Sequence, residues 1–201
     1  LKSVGKEFYL APESCHLYIK ETAMLKKEVT DALNDQINKE IYSAFLYMSM
    51  SGYTNALVLK GFANWFMIQY HEEMFHAMKL YEYVQSQGES VVLKTVEAPP
   101  ATFASPLDAF EKTLAHEQVV TQSINDLMDL AIEHRDHATK IFLEWYVTEQ
   151  VEEEDTASDM IAQLKMIGDD AHALLMMDRE LASRVANVPV DFSKGVEQEG
   201  E

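Results

Sequence analysis

The sequence contains little cysteine, glycine or proline, and each shortage excludes a class of structure or chemistry. Its one cysteine, Cys15, cannot form an intramolecular disulfide, a Cys-x-x-Cys redox pair or a four-thiolate metal site. Seven glycines and five prolines in 201 residues leave few breaks, which favours long uninterrupted elements. We therefore expect no sulfur chemistry, and a reducing, cytoplasmic setting.

Basic residues are also scarce, with 16 Lys and Arg against 34 Asp and Glu, for a net charge of -18. Nucleic acids and anionic membranes are excluded as partners, because phosphate binding needs clustered Lys and Arg. No apolar run is long enough to span a membrane, and no charged segment precedes a short apolar one, so we expect no anchor or signal peptide. Cations are the natural ligands, and a solvated acidic surface is the alternative.

The apolar residues recur in steps of three and four, which predicts an all-α protein. Four long helices joined by short, long and short connections form a four-helix bundle with a long crossover between the second and third helices, followed by a short fifth helix. The predicted helices cover about 28–55, 59–87, 105–133, 137–167 and 171–183. We predict an N-terminal extension over residues 1–23, the bundle over 24–186 and an acidic flexible tail over 187–201.

The second helix carries the most informative stretch, Gln69 to His76. Its apolar stripe turns polar only in the middle, where Glu73 and His76 stand three residues apart on one helix face and can reach a single point. A lone buried Glu or His is more often a satisfied structural group than a ligand. The other helices therefore decide between the two interpretations.

Each of the other three long helices interrupts its apolar stripe near mid-length, with Glu40 in the first, Glu117 in the third, and Gln150 with Glu153 in the fourth. Four carboxylates brought together without a cation would repel one another and become protonated. A metal centre removes that cost. Oxygen-rich ligands with one imidazole suit iron or manganese better than structural zinc, and the number of ligands predicts two metals with Glu73 as the bridge.

The four long helices contain five characteristic segments: LNDQINKEIYSAFLY, GFANWF, EEMFHAMKLYEYV, AHEQVVTQSIN and FLEWYVTEQVEEE. On these segments the chain from Met24 to about Ala186 resembles a non-haem ferritin of the bacterial and archaeal type, a family in which this ligand arrangement is known. Haem-binding relatives place a second Glu-x-x-His on the fourth helix, whereas this chain has Gln150-x-x-Glu153. The resemblance therefore implies iron without haem.

The resemblance also implies a role for each candidate residue. One iron would be held by Glu40, Glu73 and His76, and the second by Glu73, Glu117 and Glu153, with Gln150 beside them. A neighbouring third iron would be held by Glu72, Glu149, Glu152 and Glu153. For Glu72, Glu149 and Glu152, the alternative is that they form an exposed acidic face and bind no metal. Tyr47 matches a tyrosine that can donate an electron to the centre.

The activity implied by the resemblance is iron storage with ferroxidase chemistry: Fe(II) is oxidised by O₂ or peroxide, and Fe(III) is stored as mineral in a twenty-four-subunit cage of identical chains. Two alternatives stay open, a di-iron oxidase or peroxidase that stores no mineral and a catalytically silent structural cage. The setting would be an organelle stroma instead of the cytoplasm if residues 1–23 are the remnant of a transit peptide.

Overall fold

The structure is a computed structural model that describes residues 25–193 and 195–196. Within these ranges the chain forms five helices and no strand. The predicted extension over residues 1–23 lies outside the described residues. The helices are α1 (Lys27–Ala56), α2 (Lys60–Ser86), α3 (Pro106–Glu133), α4 (His137–Ile167) and α5 (Ala171–Leu181). The predicted all-α bundle with a short fifth helix is confirmed.

Local signals account for most helix ends, which lie within two residues of the predicted positions. Ser105 caps α3 by accepting a hydrogen bond from the Asp108 N–H at 3.0 Å, and Pro106 occupies the first helical position. Gly88 follows α2 with a φ of 77°, and Gly168 follows α4 with a φ of 55°. Only glycine adopts this left-handed region without strain, so both helices end where the sequence predicts.

The four long helices enclose two apolar clusters. α1 packs along α2, α3 packs along α4, and α1 also contacts α3. One cluster is aromatic and reaches α5, whereas the other is mainly aliphatic. The first includes Tyr47, Phe62, Trp65, Phe66 and Phe110; the second includes Val29, Leu33, Ile37, Leu80, Val84, Ile124 and Leu143. The buried polar residues of the stripes fall between these two sets along the helices, so they lie in a low-dielectric interior.

The connection between α2 and α3 lies along α1 and is held there by asparagine side chains. Asn34 accepts a hydrogen bond from the Val92 N–H at 2.8 Å and donates to the Ser90 carbonyl at 3.3 Å. One turn later, Asn38 accepts from the Lys94 N–H at 3.1 Å. The predicted crossover is thus an ordered segment docked on the bundle.

The fifth helix docks at the start of α2. Asp178 on α5 accepts hydrogen bonds from the Gly61 and Phe62 N–H groups at 2.7 and 3.1 Å, and so caps α2 from another helix. A Cβ atom at Gly61 would lie 1.6 Å from the Asp178 carbonyl oxygen, so only glycine permits this approach. None of the described helices combines the length and apolar character needed to cross a membrane.

Candidate metal centre

Three of the predicted ligands meet in the interior between α1 and α2. Potential ligand atoms of Glu40, Glu73 and His76 lie within 4.8 Å of one another. Glu40 is 1% exposed, and Glu73 and His76 are each 2% exposed. The i, i+3 spacing on α2 brings Glu73 Oε2 to 3.5 Å from His76 Nδ1. The arrangement can hold a cation with carboxylate and imidazole ligands.

A second group extends from the same imidazole towards α4. Ligand atoms of His76, Glu149 and Glu153 also lie within 4.8 Å of one another. His76 Nε2 is 4.0 Å from Glu149 Oε1, and the Glu149 side chain is 29% exposed. The imidazole therefore stands between the buried pair of α1 and α2 and the more accessible carboxylates of α4.

Amide and phenol groups orient the carboxylates. Gln36 donates to Glu40 Oε1 at 2.9 Å from one turn earlier on α1. Gln69 donates across the bundle to Glu153 Oε2 at 2.8 Å. These contacts fix the carboxylates without supplying positive charge, which leaves room for a cation to do so. Glu117 is held in the same way, by donors from Gln150 at 3.1 Å and from the Tyr47 hydroxyl.

The buried acids Glu40, Glu73 and Glu153 form no ion pair with Lys or Arg among the residues that the structure describes. Within the described ranges, Glu40 Oε2 is the one buried side-chain nitrogen or oxygen with no hydrogen-bond partner. Burial, together with the Glu117 charge, raises the pKa of Glu40 to about 7. Burial and the charges of Glu117, Glu40 and Glu153 raise the pKa of Glu73 well above its usual value, and the pKa of Glu153 is raised in the same way. A bound cation would reverse these penalties.

His76 is held in the form that binds metals. Burial lowers the pKa of His76 to about 3, with a smaller contribution from Lys79, so the ring is neutral near pH 7. The His76 ring packs edge-on against Trp145 with centroids 5.3 Å apart. The Tyr146 hydroxyl donates to the His76 carbonyl oxygen at 2.8 Å. This packing fixes the ring beside Glu73.

The structure places the other predicted ligands less uniformly. Glu117 is fully buried, yet it belongs to neither of the two groups just described, and its oxygens accept hydrogen bonds from Tyr47 and Gln150. Glu72 is paired with Arg184. Glu152 is exposed. The roles of all the predicted residues as iron ligands, including those of the two groups, stay predictions.

Sequence reasoning missed two partners of the site. Gln36 lies one turn before Glu40 on the stripe of α1, and this i, i+4 spacing was a usable signal. Arg184 follows α5 and is 112 residues from Glu72. Nothing in its local sequence signals that contact, because it depends on how α5 docks.

The chain matches known proteins over most of its length. Residues 30–167 match the Ferritin-like domain family. A bacterial non-heme ferritin of Staphylococcus epidermidis is 43% identical over 164 residues, which is 82% of this chain and 99% of that protein. One from Staphylococcus saprophyticus is 44% identical over 161 residues, covering 80% and 96%.

Two solved structures of Archaeoglobus fulgidus ferritin are also similar, each at 48% identity with a TM-score of 0.80. One is an open pore ferritin, with 80% of this chain and 99% of that chain covered. The other is a form of that ferritin engineered to be closed, with 81% and 99% covered.

The fold and the buried carboxylate–imidazole cluster define a ferritin-like helical bundle. With the family match and these relatives, the chain belongs to the ferritin family. The resemblance to non-haem ferritins that the sequence motifs indicate is confirmed.

Proposed function

We propose that this protein is an iron-storage ferritin with ferroxidase activity. The observation that carries the proposal is the buried group of Glu40, Glu73 and His76, in which one carboxylate oxygen has no partner and the acids have raised pKa values. Such a group is costly without a cation and favourable with one. The bacterial non-heme ferritins to which the chain is similar support iron as that cation.

Fe(II) is the substrate in this proposal, and two ions bind in each subunit. One is held by Glu40, Glu73 and His76, and the other by Glu73, Glu117 and Glu153, with Gln150 beside them. The two ions lose one electron each to O₂, which takes up two protons and leaves as H₂O₂; peroxide is the alternative oxidant. Metal binding displaces protons from the acids with raised pKa values, which can supply that demand.

A third iron position lies next to the centre in this proposal, with Glu72, Glu149, Glu152 and Glu153 as its ligands. Support comes from the proximity of His76, Glu149 and Glu153. Burial, with the charges of Glu152 and Glu72, raises the pKa of Glu149, as expected for acids grouped without a cation. Iron in this position would lie closer to solvent than the two buried ions.

Storage requires a closed compartment, and we propose self-association into a cage of twenty-four identical subunits in the cytoplasm, without haem. Large apolar residues exposed on the single chain are consistent with such contacts, among them Phe45 and Met48 on α1 and Leu93 in the crossover. Similarity to the Archaeoglobus fulgidus ferritins supports the proposal.

Anaerobic Fe(II) titration followed by exposure to O₂ tests the function. We expect two Fe(II) per subunit at the centre, rapid oxidation and a growing mineral core. Glu73→Ala should lower the initial oxidation rate by about a hundredfold while the cage still assembles, because both ions lose a shared ligand. Stopped-flow absorbance measures the rate, and size-exclusion chromatography measures assembly.

Glu133→Ala is the matched control, because Glu133 is an exposed acid near the end of α3. Its oxidation rate should equal that of the wild type. Oxidation without a mineral core would favour a di-iron oxidase, and neither oxidation nor a core would favour a silent structural cage. Unchanged rates in Glu73→Ala would remove Glu73 from the bridging role.

A further inference from the structure

Arg184, three residues beyond the end of α5, reaches the edge of the metal centre. Its guanidinium donates to both carboxylate oxygens of Glu72, at 2.8 and 3.1 Å, and to Gln69 Oε1 at 2.7 Å. The Arg184 side chain is 29% exposed and the Glu72 side chain is 10% exposed. One guanidinium nitrogen, Nη2, donates to both Glu72 oxygens and the other, Nη1, donates to Gln69, so a charge-assisted contact joins the two side chains.

The position of Arg184 is fixed by the docking of α5 on α2. Asn64 donates to the Leu181 carbonyl at 3.1 Å and to the Arg184 carbonyl at 2.9 Å, so it holds the backbone on both sides of the turn after α5. The guanidinium carbon lies 5.1 Å from the centre of the Trp65 ring. Together with the cap from Asp178, these contacts place the positively charged guanidinium against one face of α2.

Two paths connect this charge to the proposed ligands. Gln69 accepts a hydrogen bond from Arg184 with its amide oxygen and donates one to Glu153 Oε2 with its amide nitrogen. Arg184 therefore fixes the orientation of the Gln69 amide, and through it the position of the Glu153 carboxylate. Arg184 also contacts Glu72 directly, as an ion pair at 2.8 Å. Glu72 thus carries a charge that is already paired.

We propose that Arg184 takes the place of a cation at Glu72, so that a third Fe(II) binds beside the centre only when Arg184 withdraws. The inference rests on the proposed function, because it concerns the outer position of the same centre. Arg184 is then a positioning residue that limits the resting centre to two ions. The position of the segment after α5 therefore controls whether Glu72 is free to bind a third Fe(II).

Calorimetric titration of the assembled, full-length protein with Zn(II), which is redox-inert, tests the proposal. We expect two tight sites per subunit in the wild type, and a third site in Arg184→Gln that is about tenfold or more tighter than in the wild type. Arg184→Lys keeps the charge but loses the guanidinium contacts that join Gln69 and Glu72, so the affinity of its third site should lie between those of the wild type and Arg184→Gln. Arg179→Gln, an exposed arginine on α5, is the matched control and should not change the isotherm.

The added site must depend on Glu72. In the double variant Arg184→Gln, Glu72→Gln the third site should be lost, and its persistence would overturn the proposal, as would identical isotherms for Arg184→Gln and the wild type. Failure of the proposed function gives a different pattern, in which neither the wild type nor any variant binds Zn(II) at the two buried positions.

A measurement on the wild type alone keeps the proposal testable if Arg184→Gln fails to assemble. Trypsin cleaves after arginine, so Zn(II) added beyond two equivalents should accelerate cleavage after Arg184 by about tenfold, because the side chain must leave Glu72. Cleavage after Arg179 serves as the internal reference. Equal cleavage after Arg184 before and after the third equivalent would refute the displacement.

Discussion

Neighbouring acids on α2 differ in how their charge is compensated. At the edge that faces α5, Glu72 pairs with Arg184 at 2.8 Å. In the centre, Glu73 and Glu40 form no ion pair with Lys or Arg in the part of the chain that the structure describes, and Glu40 Oε2 has no hydrogen-bond partner. The difference teaches that the protein compensates the acid at the edge with its own arginine and leaves the acids of the centre without such a partner.

The largest expected effect is a loss of stability at the centre as the pH rises, measured in protein that is kept metal-free with a chelator. The pKa of Glu40 is raised from 4.5 to about 7 in the folded protein, so the folded state binds this proton more tightly than the unfolded chain does. Glu40 therefore contributes stability that is present below pH 4.5 and lost as the pH rises through 7. The loss is on the order of 3 kcal/mol in the free energy of unfolding.

Glu40→Gln removes this contribution, together with the part of the rise in the Glu73 pKa that Glu40 causes. Buried His76 and His116, whose pKa values are lowered to about 3 and about 4, act in the opposite direction below pH 6.5 and are common to both proteins. Denaturant unfolding should show the wild type losing stability relative to Glu40→Gln between pH 4.5 and 8, and saturating Zn(II) should abolish that loss. A difference that does not vary with pH would contradict the open-charge interpretation of the centre.

The next largest effect is expected when the contact between α5 and α2 at the edge of the centre is disrupted. Gly61→Ala places a methyl group against the Asp178 carbonyl and should detach α5, at a cost of about 1–3 kcal/mol. Because Arg184 follows α5, it should leave Glu72, and trypsin should cleave after Arg184 faster than in the wild type. Thermal unfolding and timed proteolysis measure the two consequences.

Gly52→Ala is the matched control for this substitution. Gly52 lies within α1 with no atom within 4 Å of the Cβ position, so the change should stabilise the helix by up to about 1 kcal/mol. Equal proteolysis of Gly61→Ala and Gly52→Ala would mean that α5 docking does not depend on the close approach at Gly61.

The smallest effect sharpens the description of the centre. Tyr47→Phe removes the hydroxyl that donates to Glu117 and should cost about 1 kcal/mol of stability. Without this donor, the Glu117 carboxylate should be less well oriented for binding Fe(II). The initial oxidation rate should then fall severalfold, which is less than in Glu73→Ala. Tyr83→Phe, which removes a hydroxyl 2.9 Å from Thr139, is the control and should leave the rate unchanged. Equal rates in both variants would remove Tyr47 from the centre's chemistry.

The helices and the heart of the centre could be predicted because their signals are local. The steps of three and four identify the buried faces, and Glu40, Glu73 and His76 occur on those faces at one depth. The prediction for Glu117 was less complete: it is buried as expected, but its oxygens are engaged by Tyr47 and Gln150. Periodicity gives the face of a side chain, and it does not give the rotamer or the donor that a carboxylate selects.

The edge of the centre could not be predicted in the same way. Arg184 and Asp178 reach α2 across more than a hundred residues of sequence, and both contacts require that α5 is already docked. Glycine at position 61 is unremarkable in sequence, because only the approach of another backbone explains the absence of a side chain. The domain boundaries predicted from the sequence stay predictions.

The crossover along α1 has a consequence for the order of folding. Asn34 and Asn38 are spaced to accept the N–H groups of Val92 and Lys94 only when α1 is already helical. The first helical hairpin can therefore serve as the template on which the connecting chain is laid down. Docking the chain stepwise shortens the loop that remains to be closed before α3 and α4 arrive, which divides one large entropic barrier into smaller ones.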